Sequence, residues 1–136
     1  MQSVEMLRVS PEKQDWIRSD AVIKIANLRL RTYIGFNPEE LNKKQDVVIN
    51  CELTYVADFA CSSDDELSAL NYKTITKKII NHVERGKFRL LEKLADDLLI
   101  FLMENSMTRG AKVTVDKPHA LRFSDSVSIT ISASRS

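Results

Sequence analysis

Apolar residues occupy alternate positions between Gln45 and Tyr55, where Val47, Ile49, Cys51, Leu53 and Tyr55 interleave with Asp46, Val48, Asn50, Glu52 and Thr54. Successive side chains of a strand leave opposite faces of its sheet, so this pattern predicts a strand with one face on a core. Cys51 shares the core parity and reads as a small buried hydrophobe. The same period predicts strands over Ala111 to Lys117 and over about Asp125 to Ser132, the latter with Val127, Ile129 and Ile131 inward. A further strand is expected over Ala21 to Tyr33, where Ile23 and Ile25 share one parity and Leu28 and Leu30 take the other. A bulge at Ala26-Asn27 would return both pairs to a single face.

Between the two strand pairs the period becomes helical. Asn71 is placed to cap a helix with Ile75, Ile79 and Val83 on one stripe and Gly86 at its end. A second helix runs from about Leu91 to Asn105, with Leu91, Leu94, Ala95, Leu98, Leu99 and Leu102 inside and Lys93, Asp96, Asp97 and Glu104 outside. The order β-β-α-α-β-β predicts an α+β fold, a four-stranded antiparallel sheet with two helices on its apolar face. Long uncovered edges are usually paired, so an oligomer that joins sheets edge to edge is physically sensible. The domain is expected over 21–134. Residues 1–20 show no sustained period and read as an N-terminal extension, with Trp16-Ile17 able to dock on the domain.

Lys117 breaks the pattern. It shares the parity of Val113 and Val115, so an ammonium falls on the core face. Burial disfavours the charged form and fits a lysine for proton transfer near neutral pH. The alternative is a strand that ends at Asp116, the side chain snorkelling to water past Pro118.

Composition narrows the chemistry. At 136 residues with 43% apolar and 29% charged content, the chain is a single globular domain with no apolar run long enough for a membrane helix. A net charge of +1 gives no global field for gripping nucleic acid. Two cysteines without CxxC spacing, and no secretory stretch, point to the cytoplasm. With three glycines there is no loop for a dinucleotide or nucleoside triphosphate, and His82 and His119 form no zinc motif. Metal-free chemistry by lysine, carboxylates and tyrosine remains.

Glu92 opens the second helix at the margin of its leucine stripe, where a carboxylate either accepts paired hydrogen bonds from a planar N–H edge or simply complements the helix N-terminus. Tyr72, just inside the first helix, reads as a site residue or as a core aromatic, and Glu40, in the first long loop, as a site residue or a solvated charge.

Taken in order, Leu28 to Gly35, Glu40 to Gln45, Asn71-Tyr72, Leu90 to Ala95 and Val113 to Pro118 resemble the dihydroneopterin aldolase family. The resemblance implies the tunnelling fold (T-fold), with subunit sheets closing into a barrel, commonly an octamer of two stacked tetrameric rings. It implies a pterin pocket where subunits meet, without cofactor or metal. Glu92 would anchor the pterin's amino and ring N–H edge, Lys117 would be the acid-base lysine, Tyr72 and Glu40 would line the reacting side chain, and Leu70, Leu91 and Gln45 would complete the pocket. Aldolases usually carry Gly-Tyr-His-Gly where this chain has Thr32-Tyr33-Ile34-Gly35, and a proline-rich segment where it has Pro118-His119-Ala120-Leu121-Arg122. Both departures look like the dihydroneopterin triphosphate 2'-epimerase subgroup. That implies inversion of a side-chain carbon by bond cleavage and re-formation, with Lys73, Arg89 or Arg122 as candidates to meet the triphosphate. The rivals are an aldolase that releases glycolaldehyde and a non-catalytic pterin-binding subunit.

Overall fold

Alternation is realised as a sheet of strands β1 (Ala21–Ile34), β2 (Gln45–Tyr55), β3 (Lys87–Phe88), β4 (Thr108–Lys117) and β5 (Val127–Ser134). The computed structural model describes residues 15–136; the expected extension falls largely outside them, and within them Trp16 and Ile17 have exposed side chains, with Ile17 in an isolated β-bridge. Helices α1 (Asp58–Ser63), α2 (Tyr72–Arg85) and α3 (Leu91–Glu104) complete the chain, with single 3-10 turns at Pro38–Glu40 and Glu66–Ser68.

The strand order is β3-β1-β2-β4-β5, all antiparallel except the β1/β3 pair. Five strands therefore replace the four expected. The fifth, β3, is two residues long and pairs Lys87 with Tyr33 and Phe88 with Ile34, too short to leave a periodic signature. The expected break in β1 is present: the register jumps between Ile25 and Leu28, Asn27 takes φ 55°, and its N–H donates to Asn50 Oδ1 at 2.8 Å. The extra residue returns Ile23, Ile25, Leu28 and Leu30 to the core side.

Asn71 caps α2, its side chain accepting from the Thr74 N–H at 3.1 Å. α2 packs on β1, and α3 on β4 and β5. Their stripes meet Val47, Ile49, Leu53, Val113 and Val115 in one core, sealing Leu94, Leu98 and Leu102. Cys51 lies in this core, and burial pushes its thiol up to about 12. On the other face of the sheet polar side chains pair with each other, as in Thr114 Oγ1 with Thr130 Oγ1 at 2.8 Å.

Candidate functional site

The ends of β1, β2 and β4 converge with the loop before β2 and the turn between β3 and α3. The residue that organises this corner is Glu40, at the close of the first 3-10 turn. Its Oε2 accepts from Lys117 Nζ at 2.8 Å and from Gln45 Nε2 at 3.1 Å, and its Oε1 accepts from the Asn37 N–H at 3.3 Å. Gln45 is itself fixed by a 2.6 Å bond to the Ile34 carbonyl. The Lys117 ammonium beside it holds the Glu40 carboxyl below its usual value against the opposing effect of burial, with Gln45 and the Asn37 N–H adding to the lowering. The carboxylate is a charged acceptor held in place from several directions.

Lys117 is 9% exposed, on the parity of Val113 and Val115, and does not run out to water past Pro118. It lines a cavity of about 330 Å³ together with Gly35, Glu40, Arg89, Leu91 and Glu92. Glu92, in the first turn of α3, is an exposed carboxylate facing this space, and the half-buried Leu91 supplies apolar wall. Glu40, the adjacent Leu91 and Glu92, and Lys117 thus come together from three separate stretches of sequence, with Gln45 behind Glu40.

Tyr72 and Leu70 do not line that cavity. Leu70 is 2% exposed in the core, and its carbonyl accepts from the Tyr72 N–H at 2.9 Å, fixing the turn that presents the 49% exposed Tyr72. They stand at the start of α2, whereas the far end of α2 leads through Gly86 and β3 to Arg89. Fourteen helical residues at about 1.5 Å each place Tyr72 roughly 20 Å from that end. Within this chain Tyr72 therefore stands apart from the cavity that Lys117 lines.

Gly35, which enters the sequence analysis only as the end of the Thr32-Tyr33-Ile34-Gly35 motif, is a site residue that was not singled out there. Its φ is +128°, and a Cβ there would sit 2.1 Å from Glu40 Oε1 and 2.2 Å from Glu40 Cδ. The missing side chain is the space the carboxylate occupies. Gly35→Ala is expected to displace Glu40 from Lys117, cost about 1–3 kcal/mol through the strained backbone, and lower activity beyond what the lost stability explains. Denaturant titration beside steady-state rates checks this; full activity would show that the Glu40 position is dispensable.

Residues 23–132 match the sequence model of the family described as FolB, dihydroneopterin aldolase. The chain belongs to the dihydroneopterin aldolase family. Within the family it is 53% identical over 115 residues to the dihydroneopterin triphosphate 2'-epimerase of Escherichia coli K12, covering 85% of this chain and 96% of that one. The dihydroneopterin aldolase of the same organism is 26% identical over 110 residues, 81% of this chain and 90% of the relative. A crystal structure of Escherichia coli dihydroneopterin aldolase in complex with neopterin superimposes with a TM-score of 0.78 at 26% identity, over 83% of this chain and 98% of the other. The α+β T-fold expected from the sequence is therefore the fold of this family.

Proposed function

We propose that this chain is a dihydroneopterin triphosphate 2'-epimerase acting in the cytoplasm without a cofactor. The observation that carries the reading is the meeting of Glu92 with the Lys117–Glu40 pair on one cavity. Identity of 53% with an epimerase, against 26% with an aldolase, supports the subgroup.

In this reading the Glu92 carboxylate accepts from the amino and ring N–H edge of the pterin, and Leu91 packs beside it. The side chain then lies at Lys117 and Glu40. The hydroxyl on the second side-chain carbon loses its proton, and its C–O becomes a carbonyl. The bond to the first side-chain carbon breaks, and its electrons pass into the ring C=N, whose nitrogen takes a proton from Lys117. Glu40 keeps the ammonium in line, and Tyr72 serves the hydroxyl proton. If the aldehyde presents its other face and the bond re-forms, the carbon is inverted; if it leaves, the outcome is the aldolase reaction. No Schiff base with lysine is required.

The roughly 20 Å between Tyr72 and the cavity-side end of α2 favours sites completed by a neighbouring copy. Ring closure by head-to-tail contacts, doubled into an octamer of two tetramers, would supply it, with Leu70 fixing the turn that delivers Tyr72. Incubation with 7,8-dihydroneopterin triphosphate and chiral separation of products tests the reaction, the epimer being expected as main product. Predominant 6-hydroxymethyl-7,8-dihydropterin would make the chain an aldolase, and absence of any turnover would make it a binding subunit. A mixing experiment tests the shared site. Lys117→Ala and Tyr72→Ala chains, each inactive alone, should recover part of wild-type activity when refolded together; no recovery would refute it.

A further inference from the structure

A second cavity, of about 470 Å³, adjoins the first at Glu40 and is lined by Glu39, Glu40, Lys43, Lys44, Gln45 and His119 among others. Asn37, Glu40 and Ala120 border both cavities, so the two adjoin at the part-buried Glu40, whose partner Lys117 lines the first. A substrate with its ring at Glu92 and its reacting carbon at Lys117 would therefore have the second cavity next to its side chain. We propose that this cavity binds the triphosphate of the substrate and keeps hold of the aldehyde fragment while the carbon–carbon bond is open. The inference rests on the epimerase reading and extends it to what separates epimerisation from cleavage.

The charges suit the role. Among the described residues Lys43 has no ion-pair partner, and the Lys44 ammonium reaches the Glu84 carbonyl at 3.5 Å and the face of Tyr33 at 5.9 Å. His119 is largely exposed; its Nε2 lies 3.6 Å from Asp46 Oδ2, which leaves Nδ1 as the ring nitrogen to meet a phosphate. The acids are less of an obstacle than their number suggests. Glu40 is neutralised by Lys117, and Glu39 is exposed and free to swing into water. The Lys44 backbone is also anchored, its carbonyl accepting from Arg31 Nη2 at 2.9 Å, so the basic loop is tied to β1.

Of the basic residues expected from sequence, Arg89 lines the first cavity, Lys73 stands with Tyr72 at the distant start of α2, and Arg122 lies over the Phe123 ring at 5.5 Å. None of the three lines the second cavity.

The chemistry explains why an anchor there matters. The triphosphate is esterified at the far end of the side chain, so it leaves with the aldehyde when the bond between the first two side-chain carbons breaks. The electron pair of that bond is stored in the ring, and the hydroxyl oxygen has become the carbonyl. Nothing covalent then joins the fragments. A fragment held by its phosphates can rotate its carbonyl and be attacked on the opposite face, the ring returning the electron pair and its nitrogen proton. A fragment that is not held diffuses away, and cleavage results.

The test compares wild type with the double variant Lys43→Gln, Lys44→Gln on the triphosphate and on unphosphorylated dihydroneopterin. The expected result is a KM for the triphosphate raised about tenfold or more, an unchanged KM for dihydroneopterin, and a product mixture shifted from epimer toward 6-hydroxymethyl-7,8-dihydropterin. An unchanged triphosphate KM and product ratio, with wild type still epimerising, would overturn the subsite while leaving the functional reading intact. Calorimetric titration with inorganic triphosphate separates the two ideas further. Binding to wild type but not to the variant supports the subsite even if wild type turns over neither pterin, whereas equal or absent binding to both refutes it.

Discussion

Replacing Lys117 with alanine is expected to lower turnover by about three orders of magnitude, the range of a lost general acid, with the fold and pterin binding retained. The lysine supplies the ring proton that lets electrons leave the breaking bond, and no other cationic side chain reaches Glu40 among the described residues. The substitution also removes the strongest partner of a sheltered carboxylate, at a cost of about 1–3 kcal/mol near neutral pH. The sign of the pH dependence is set by Glu40. Its folded pKa is depressed, so its stabilisation is fully present above the unfolded carboxylate value and is lost as pH falls through the folded one. In Lys117→Ala that depression largely disappears. The gap in denaturant midpoint between variant and wild type should therefore be widest at neutral pH and close toward acid. Single-turnover kinetics on the triphosphate measures the catalytic loss, and a rate within about tenfold of wild type would remove Lys117 from the chemistry.

Glu92→Ala should act on binding. A carboxylate accepting two N–H groups in a closed site is worth about 2–5 kcal/mol when truncated, so pterin affinity should fall roughly a hundredfold or more. Glu92 stands in the first turn of α3 with no hydrogen bond to another side chain among the described residues, so its removal leaves the core of Leu94, Leu98 and Leu102 untouched. The thermal midpoint should stay close to wild type, and Glu92→Gln should recover only a fraction of the affinity because the amide has one acceptor oxygen and a competing donor. Neopterin titration by fluorescence gives the constants. Near-wild-type affinity in the alanine variant would mean that the pterin edge is read elsewhere.

What could be read from sequence was whatever repeats. The period of β2 placed its core face, the parity switch at Ala26-Asn27 announced the bulge, and the parity of Lys117 marked it before any contact was known. β3 escaped because two residues carry no period and their pairing with β1 spans over fifty positions. The role of Gly35 escaped for a related reason: a glycine at a turn advertises backbone freedom, and nothing local shows that a carboxylate five residues on will fill the space of its Cβ. The second cavity draws Lys43 and Lys44 from one loop and His119 from another beyond β4, and neither loop has a pattern linking it to the other. Loops meet through tertiary packing, which is the part of a fold that local chemistry does not encode.

The placing of Tyr72 at the end of α2 away from the cavity also bears on when the protein becomes active after synthesis. On the proposed shared site, a newly released chain would carry one half of each of two sites and complete neither, so activity would lag behind folding and rise with a higher power of chain concentration. Rates measured in dilute lysate would then underestimate the enzyme, and a slow onset on dilution or refolding would report subunits finding one another rather than chains finding their shape.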